Sequence, residues 1–191
     1  MISLVANHIG VGGVTSVVSA FDSCPALRGV SIAGNSKVGM KGVETLLEGV
    51  RRHGGITSVG VGGTGLQGAD AGRLTALLRD ISGLTSLDMR DSPALVNPFF
   101  LTTLPGAVPL LTTLELRGNS VGDEGAASLA SHLSSVPLLT RLDFRDNSVG
   151  DEGAASLASH LSSVPLLTSL DLSYNSVGDE GAASLASHLS S

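Results

Sequence analysis

Apolar residues recur in a compound rhythm about 28 residues long: two apolar positions separated by one residue, a polar residue three positions later, then apolar residues at helical spacing. The paired positions are Ile2 and Leu4, Val30 and Ile32, Val59 and Val61, Leu87 and Met89, Leu114 and Leu116, Leu142 and Phe144, and Leu170 and Leu172. Alternation over so few residues predicts a short strand with one buried face. The polar position that follows holds Asn7, Asn35, Thr64, Ser92, Asn119, Asn147 and Asn175, with spacings of 28, 29, 28, 27, 28 and 28. Helical positions come next. They are Val14, Val17, Val18 and Phe21 in the first unit, Val43, Leu46, Leu47 and Val50 in the second, and Ala126, Leu129, Ala130 and Leu133 in the fifth. These share one helix face. In the fifth unit the helix is predicted to begin beside Asp123 and Glu124, where acids favour the positive helix end, and to stop before Pro137.

A period of this length marks a stacked repeat array. Residues 1–191 divide into one repeat domain of seven units, approximately 1–26, 27–55, 56–83, 84–110, 111–138, 139–166 and 167–191. The stretch NSVGDEGAASLASHLSSVPLLT runs from Asn119 to Thr140, repeats letter for letter from Asn147 to Thr168, and returns from Asn175 to Ser191.

The pattern LxxLxLxxN followed by GDEGAxxLAxxL resembles the leucine-rich repeat, in the 28-residue form of ribonuclease inhibitor, over essentially the whole chain. Similar arrays occur in Ran GTPase-activating proteins, nucleotide-binding immune receptors and large repeat proteins of protists. The resemblance implies an α/β solenoid, a horseshoe arc of seven strand-helix units with a parallel sheet on the concave face and helices on the convex face. It also implies that asparagines such as Asn7, Asn35, Asn119, Asn147 and Asn175 satisfy loop backbone groups and link neighbouring units. Thr64 and Ser92 depart from that pattern, and hydroxyls are expected to do the work less completely. In the fourth unit Asn97 is expected to cap a short helix starting at Pro98, with adjacent Phe99 and Phe100 unable to face the core together. Ile2 already holds a strand position and Ser191 ends a helix, so the chain reads as a segment of a longer one, or as one whose ends self-associate.

Composition narrows the function classes. The single cysteine, Cys24, permits no internal disulfide and favours a cytoplasmic setting; its template position predicts a small core side chain. No apolar run reaches the roughly 20 residues of a membrane span. The net charge of −6 is concentrated: residues 112–191 carry ten acids against three arginines, whereas residues 1–111 carry seven acids against eight bases. A surface that tracks phosphates needs clustered cations, so nucleic acid is not an expected partner.

Several motifs imitate chemistry. GVGGTG, from Gly60 to Gly65, matches a dinucleotide-binding loop, but every residue has a place in the repeat, and no second strand ending in an acid is expected about 20 residues on. GNSKVGMK, from Gly34 to Lys41, has Met40 where a phosphate loop needs lysine. His53, Gly54 and Gly55 read as a turn between units. His132, His160 and His188 form a ladder on helices about 10 Å apart, too far for a shared ion. No catalytic, cofactor or metal residues are therefore assigned.

What varies among the last three units is confined to the strand and its exit. From unit five to unit six Thr113 becomes Arg141, Glu115 becomes Asp143, Leu116 becomes Phe144 and Gly118 becomes Asp146. From six to seven Arg141 becomes Ser169, Phe144 becomes Leu172, Arg145 becomes Ser173 and Asp146 becomes Tyr174. Stacking the units aligns Asp88, Glu115, Asp143 and Asp171, then Arg90, Arg117 and Arg145, with Asp91, Asp146 and Tyr174 at the exit. With Thr113, Arg141, Ser169 and Ser173 these make fourteen positions that form the candidate partner-binding face, predicted to point into the concave groove. The leading reading is a non-enzymatic protein-interaction scaffold. The alternatives are a structural spacer in a larger cytoskeletal or surface protein, and a regulator of an enzyme such as a GTPase activator.

Overall fold

A computed structural model describes residues 1–189. Seven parallel strands form one sheet in chain order: β1 (Ile2–Ser3), β2 (Gly29–Ser31), β3 (Ser58–Gly60), β4 (Ser86–Asp88), β5 (Thr113–Glu115), β6 (Arg141–Asp143) and β7 (Ser169–Asp171). The register follows the sequence template, pairing Leu87 with Leu114, Leu114 with Leu142 and Leu142 with Leu170. After each strand the chain returns through a helix: α1 (Val11–Ser19), α2 (Gly39–His53), α3 (Ala71–Arg79), α4 (Pro98–Ala107), α5 (Gly122–Ala130), α6 (Asp151–Ser159) and α7 (Asp179–Leu189). Adjacent strands need about 4.8 Å and adjacent helices about 10 Å, so the stack curves with the strands on the inner, concave side.

The core is a continuous apolar seam between these layers. The alternating strand residues Val59, Val61, Leu87, Met89, Leu114, Leu116, Leu142 and Phe144 are buried, as are the helix-face residues Val43, Leu46, Leu47, Val50, Ala126, Leu129 and Ala130. In the first unit Val14, Val18 and Phe21 are buried, while Val17 is half-buried. Among the described residues, no helix is long and apolar enough to cross a membrane.

The asparagine ladder joins unit to unit. The Asn147 side-chain oxygen accepts the backbone N–H groups of Asn119 and Val121 at 3.0 and 3.3 Å. Its amide donates to the carbonyls of Leu116 and Arg145, both at 2.9 Å. Asn175 repeats this against unit six, accepting from Asn147 and Val149 and donating to Phe144. Asn119 and Asn35 also reach back, to Met89 and Leu4. Thr64 donates only within its own loop, to Val61, while the Ser92 hydroxyl accepts the Gly63 N–H and donates to the Arg90 carbonyl, fewer links than an interior asparagine makes. Asn7 differs. It is exposed and makes one local bond, to Val5, because no unit precedes it in the described chain.

Helix ends show two departures from expectation. α5 stops before Pro137 as expected, but already at Ala130, short of Leu133; a 3-10 turn at Leu133–Ser135 fills the gap and keeps Leu133 buried. Asp123 does more than sit in the first turn of its own helix. Its Oδ1 accepts the N–H groups of Gly150 and Gly153 at 2.7 and 3.0 Å, capping the start of the next unit's helix. Asp151 does the same for Gly178 and Gly181. A side chain on Gly153 would strike that carboxylate, so glycine is required there. The cap is thus a second interunit fastener, built from donors every helix start leaves unpaired.

In the fourth unit Asn97 accepts the Phe100 N–H at 3.0 Å and Pro98 opens α4. Phe100 is fully buried and Phe99 is exposed, as adjacency on a helix demands. Cys24 is a correction: it is exposed, whereas its counterparts Val136 and Val164 are buried. It belongs to the first unit, and no earlier unit packs over it in the described chain.

Candidate functional site

The concave face is laid out in rows. Thr113, Arg141 and Ser169 stand opposite one another, as do Asp88, Glu115, Asp143 and Asp171. Backbone bonds from Asp91 to Arg117 and from Gly118 to Arg145 carry the alignment past the strand ends. The N-terminal half of the face is different in kind. Ser3, Ser31 and Gly60 occupy the acidic row's position, leaving a shallow depression of about 230 Å3 bounded by Asp88 and Arg90.

The charges are locked together rather than free. Asp88 accepts the Arg90 backbone N–H at 3.0 Å and its Nε and Nη2 at 2.9 and 2.8 Å. Asp143 holds Arg145 in the same clamp, at 3.1 Å from the backbone N–H, 3.0 Å from Nε and 2.6 Å from Nη2. Each clamped arginine also reaches the next unit, Arg90 to Glu115 at 3.2 Å and Arg145 to Asp171 at 3.4 Å. Asp171 turns back onto Ser173 instead, through its backbone N–H and hydroxyl.

Asp143 departs from the expectation of an accessible binding group. Only 1% of its side chain is exposed, beneath Arg145 and with Arg141 at 3.7 Å. A buried carboxylate needs such partners. Burial pushes its pKa up, but hydrogen bonds from the Arg145 side chain and backbone prevail and hold it below the ordinary aspartate range. Asp171 is likewise depressed, by the hydroxyl and N–H of Ser173. A carboxylate depressed in the folded state stabilises above its unfolded pKa and loses that contribution as pH falls through the folded value. The denaturation midpoint is therefore expected to hold from neutrality to about pH 5 and to drop below about pH 4, less steeply in Asp143→Asn.

Glu115 breaks the series. One methylene longer than aspartate, it makes no clamp on the residue two positions on, and its carboxylate is taken by Arg90. Arg117 is exposed and, among the described residues, makes no ion pair. It lines a depression of about 340 Å3 with Arg145, Asp146 and Tyr174.

The exit position carries a signal that residue types alone conceal. In all seven units it is left-handed: Ala6, Gly34, Gly63, Asp91, Gly118, Asp146 and Tyr174 have φ between 54° and 73°. Glycine takes this conformation without strain; a tyrosine does so at a cost of about 1–2 kcal/mol. Tyr174 is nevertheless 85% exposed, so no core packing compensates.

A leucine-rich repeat family model matches residues 109–130, 137–158 and 165–186. Residues 109–186 carry leucine-rich repeats, and the four units before unit five continue the same strand-helix stack. Solved structures agree on the fold. An internalin from Listeria monocytogenes aligns over 96% of this chain and 51% of its own, with 19% identity and a TM-score of 0.59, so the chain spans about half its length. The C-terminal domain of a Caenorhabditis elegans tropomodulin aligns over 80% of this chain and 93% of its own, at 15% identity and a TM-score of 0.61. TLR13, solved as a complex with ssRNA13, aligns over 84% of this chain and 21% of its own, at 21% identity and a TM-score of 0.52. No curated relative matches in sequence.

The repeat architecture also explains the motifs that imitated chemistry. A strand does end on an acid some 20 residues after Gly65, contrary to expectation, because β4 closes on Asp88. The glycine loop is occupied by the repeat itself: a side chain on Gly62 would collide with the Arg90 backbone, and Asp88 is clamped by Arg90. Gly54 closes α2 in a left-handed cap while His53 reaches the Cys24 carbonyl at 3.1 Å, making the turn between units. His132 and His160 donate from Nδ1 to the carbonyls of Ser128 and Ser156, four residues back on their own helices.

Proposed function

We propose that this leucine-rich repeat array, in the ribonuclease-inhibitor-like form, is a non-enzymatic scaffold that binds a protein partner through the concave face of units four to seven. The observation that carries the reading is where the copies differ. Units five to seven share their loops, caps and helices letter for letter, and apart from the core position held by Leu116, Phe144 and Leu172 their differences fall on three neighbouring strands and exits of one face. Helix-surface residues such as Ser131 and Ser159 are exposed too, yet do not vary. Tyr174, strained and solvent-facing, is the kind of side chain that anchors interfaces. The clamped arginines favour a protein over nucleic acid, since Arg90 and Arg145 are committed to carboxylates rather than to phosphates. Self-association is a second reading, favoured by an apolar depression beside β7 lined by Leu161, Leu167, Leu170 and Leu185; a mass that rises with concentration would support it.

Tyr174→Gly separates binding from folding. It is expected to remove most capture of the partner from native extract while raising the unfolding free energy by about 1 kcal/mol, through relief of the left-handed strain. Undiminished capture by the variant would refute the site.

A further inference from the structure

The depression at the exit of units five to seven has an asymmetric chemistry. Arg117 brings an exposed guanidinium that, among the described residues, has no carboxylate within ion-pair distance. The reason lies in one methylene group. Wherever an aspartate stands in the row, its carboxylate folds back onto the backbone N–H two residues on, and at Asp88 and Asp143 it holds the arginine there as well. Glu115 lacks that turn and is drawn to Arg90, so the arginine following it is left outward. Arg145, the cation beside it, is already engaged by Asp143 and Asp171. Tyr174 forms another wall, its backbone conformation lifting the ring into solvent, and Asp146 the remaining edge, from a left-handed residue as well.

We propose that this depression receives an acidic side chain, Glu or Asp, from an extended segment of the protein partner, with Arg117 as its bidentate counter-ion. This rests on the concave-face reading and specifies its chemistry. A guanidinium presents a planar fork that matches a carboxylate and discriminates it from an amide of the same shape. The Tyr174 ring covers the aliphatic stem of the incoming residue, excluding water from the pair, which strengthens it. Asp146 repels a second acid at the next position and accepts an N–H from the segment, so one acid is selected rather than an acidic run. Unit six cannot offer the same receptor, because its arginine is held by Asp143.

The test uses the 191-residue chain and twelve-residue peptides selected on it from a random displayed library. Selected peptides are expected to share an acid at a fixed position. Arg117→Gln should weaken the best of them about tenfold, the matching Glu→Gln peptide should lose as much, and the two changes together should lose little more. Arg117→Lys should recover only part of the affinity, since a point charge lacks the fork. Peptides without a shared acid, equal losses by acidic and amide peptides on Arg117→Gln, or a selection that yields no binder would each overturn the proposal. If such peptides still lose affinity on Tyr174→Gly, the receptor assignment fails and the concave-face reading survives; if they are indifferent to both changes, the reading fails as well.

Discussion

Asn147→Ala is expected to lower the unfolding free energy by about 3 kcal/mol, measured from the denaturant midpoint. The side chain is fully buried and makes four backbone hydrogen bonds, two received from unit five and two given, one of them to unit five. Alanine deprives the buried N–H groups of Asn119 and Val121 of their acceptor and takes one donor from the Leu116 and Arg145 carbonyls, which keep the Asn119 amide and the Gly118 N–H. A single net hydrogen bond contributes about 1 kcal/mol, and a buried group left unpaired costs about 1–3 kcal/mol, so the loss exceeds that of an ordinary polar truncation. Because stability in a solenoid is carried by unit-to-unit interfaces, the effect reaches both neighbours. Asn7→Ala supplies the contrast. That residue is exposed with one local bond, and its loss should change stability by less than about 0.5 kcal/mol. Equal midpoints for the two variants would contradict the role assigned to the ladder.

Arg145→Ala is expected to lower the denaturant midpoint clearly, although the arginine lies on the face assigned to binding. Its removal strips Asp143 of its two shortest charged contacts and leaves a carboxylate with 1% exposure held by the backbone N–H of residue 145 at 3.1 Å, with Arg141 at 3.7 Å. Breaking a fully buried pair is strongly destabilising, and the exposure of Arg145 reduces that effect. Arg90→Ala should cost less, since Asp88 is 15% exposed and can regain water. An unchanged midpoint for Arg145→Ala would show that Asp143 does not depend on its clamp. The consequence for mapping is practical: loss of binding in Arg145→Ala would confound folding with contact, whereas Tyr174 and Arg117 are exposed and can be changed cleanly.

The architecture was legible because the same physics is written seven times. A single Leu-x-Leu strand is too short to identify, but the pairs from Ile2 and Leu4 to Leu170 and Leu172 recur at one period, and the register follows from them. Side-chain reach was not legible. That Asp123 caps the helix of the following unit depends on where Gly150 and Gly153 lie in space, 27 and 30 residues on. The burial of Asp143 and the freedom of Arg117 likewise turn on the geometry of aspartate against glutamate at one turn, which the aligned letters treat as equivalent charge. The strain at Tyr174 had a faint trace, since its position holds Gly34, Gly63 and Gly118 in other units, a pattern that marks a left-handed residue. Cys24 was misplaced because the template describes a unit packed on both sides, and among the described residues none packs over the first unit's outer side.

The most direct measurement places a photo-crosslinking side chain at Ser173 on the concave face and, separately, at Ser159 on the outer surface of α6, both exposed. Irradiation in native extract should give a discrete protein adduct from position 173, lost when Tyr174→Gly is added, and none from position 159. Adducts from position 159 alone, or no adduct from position 173, would contradict a concave binding face.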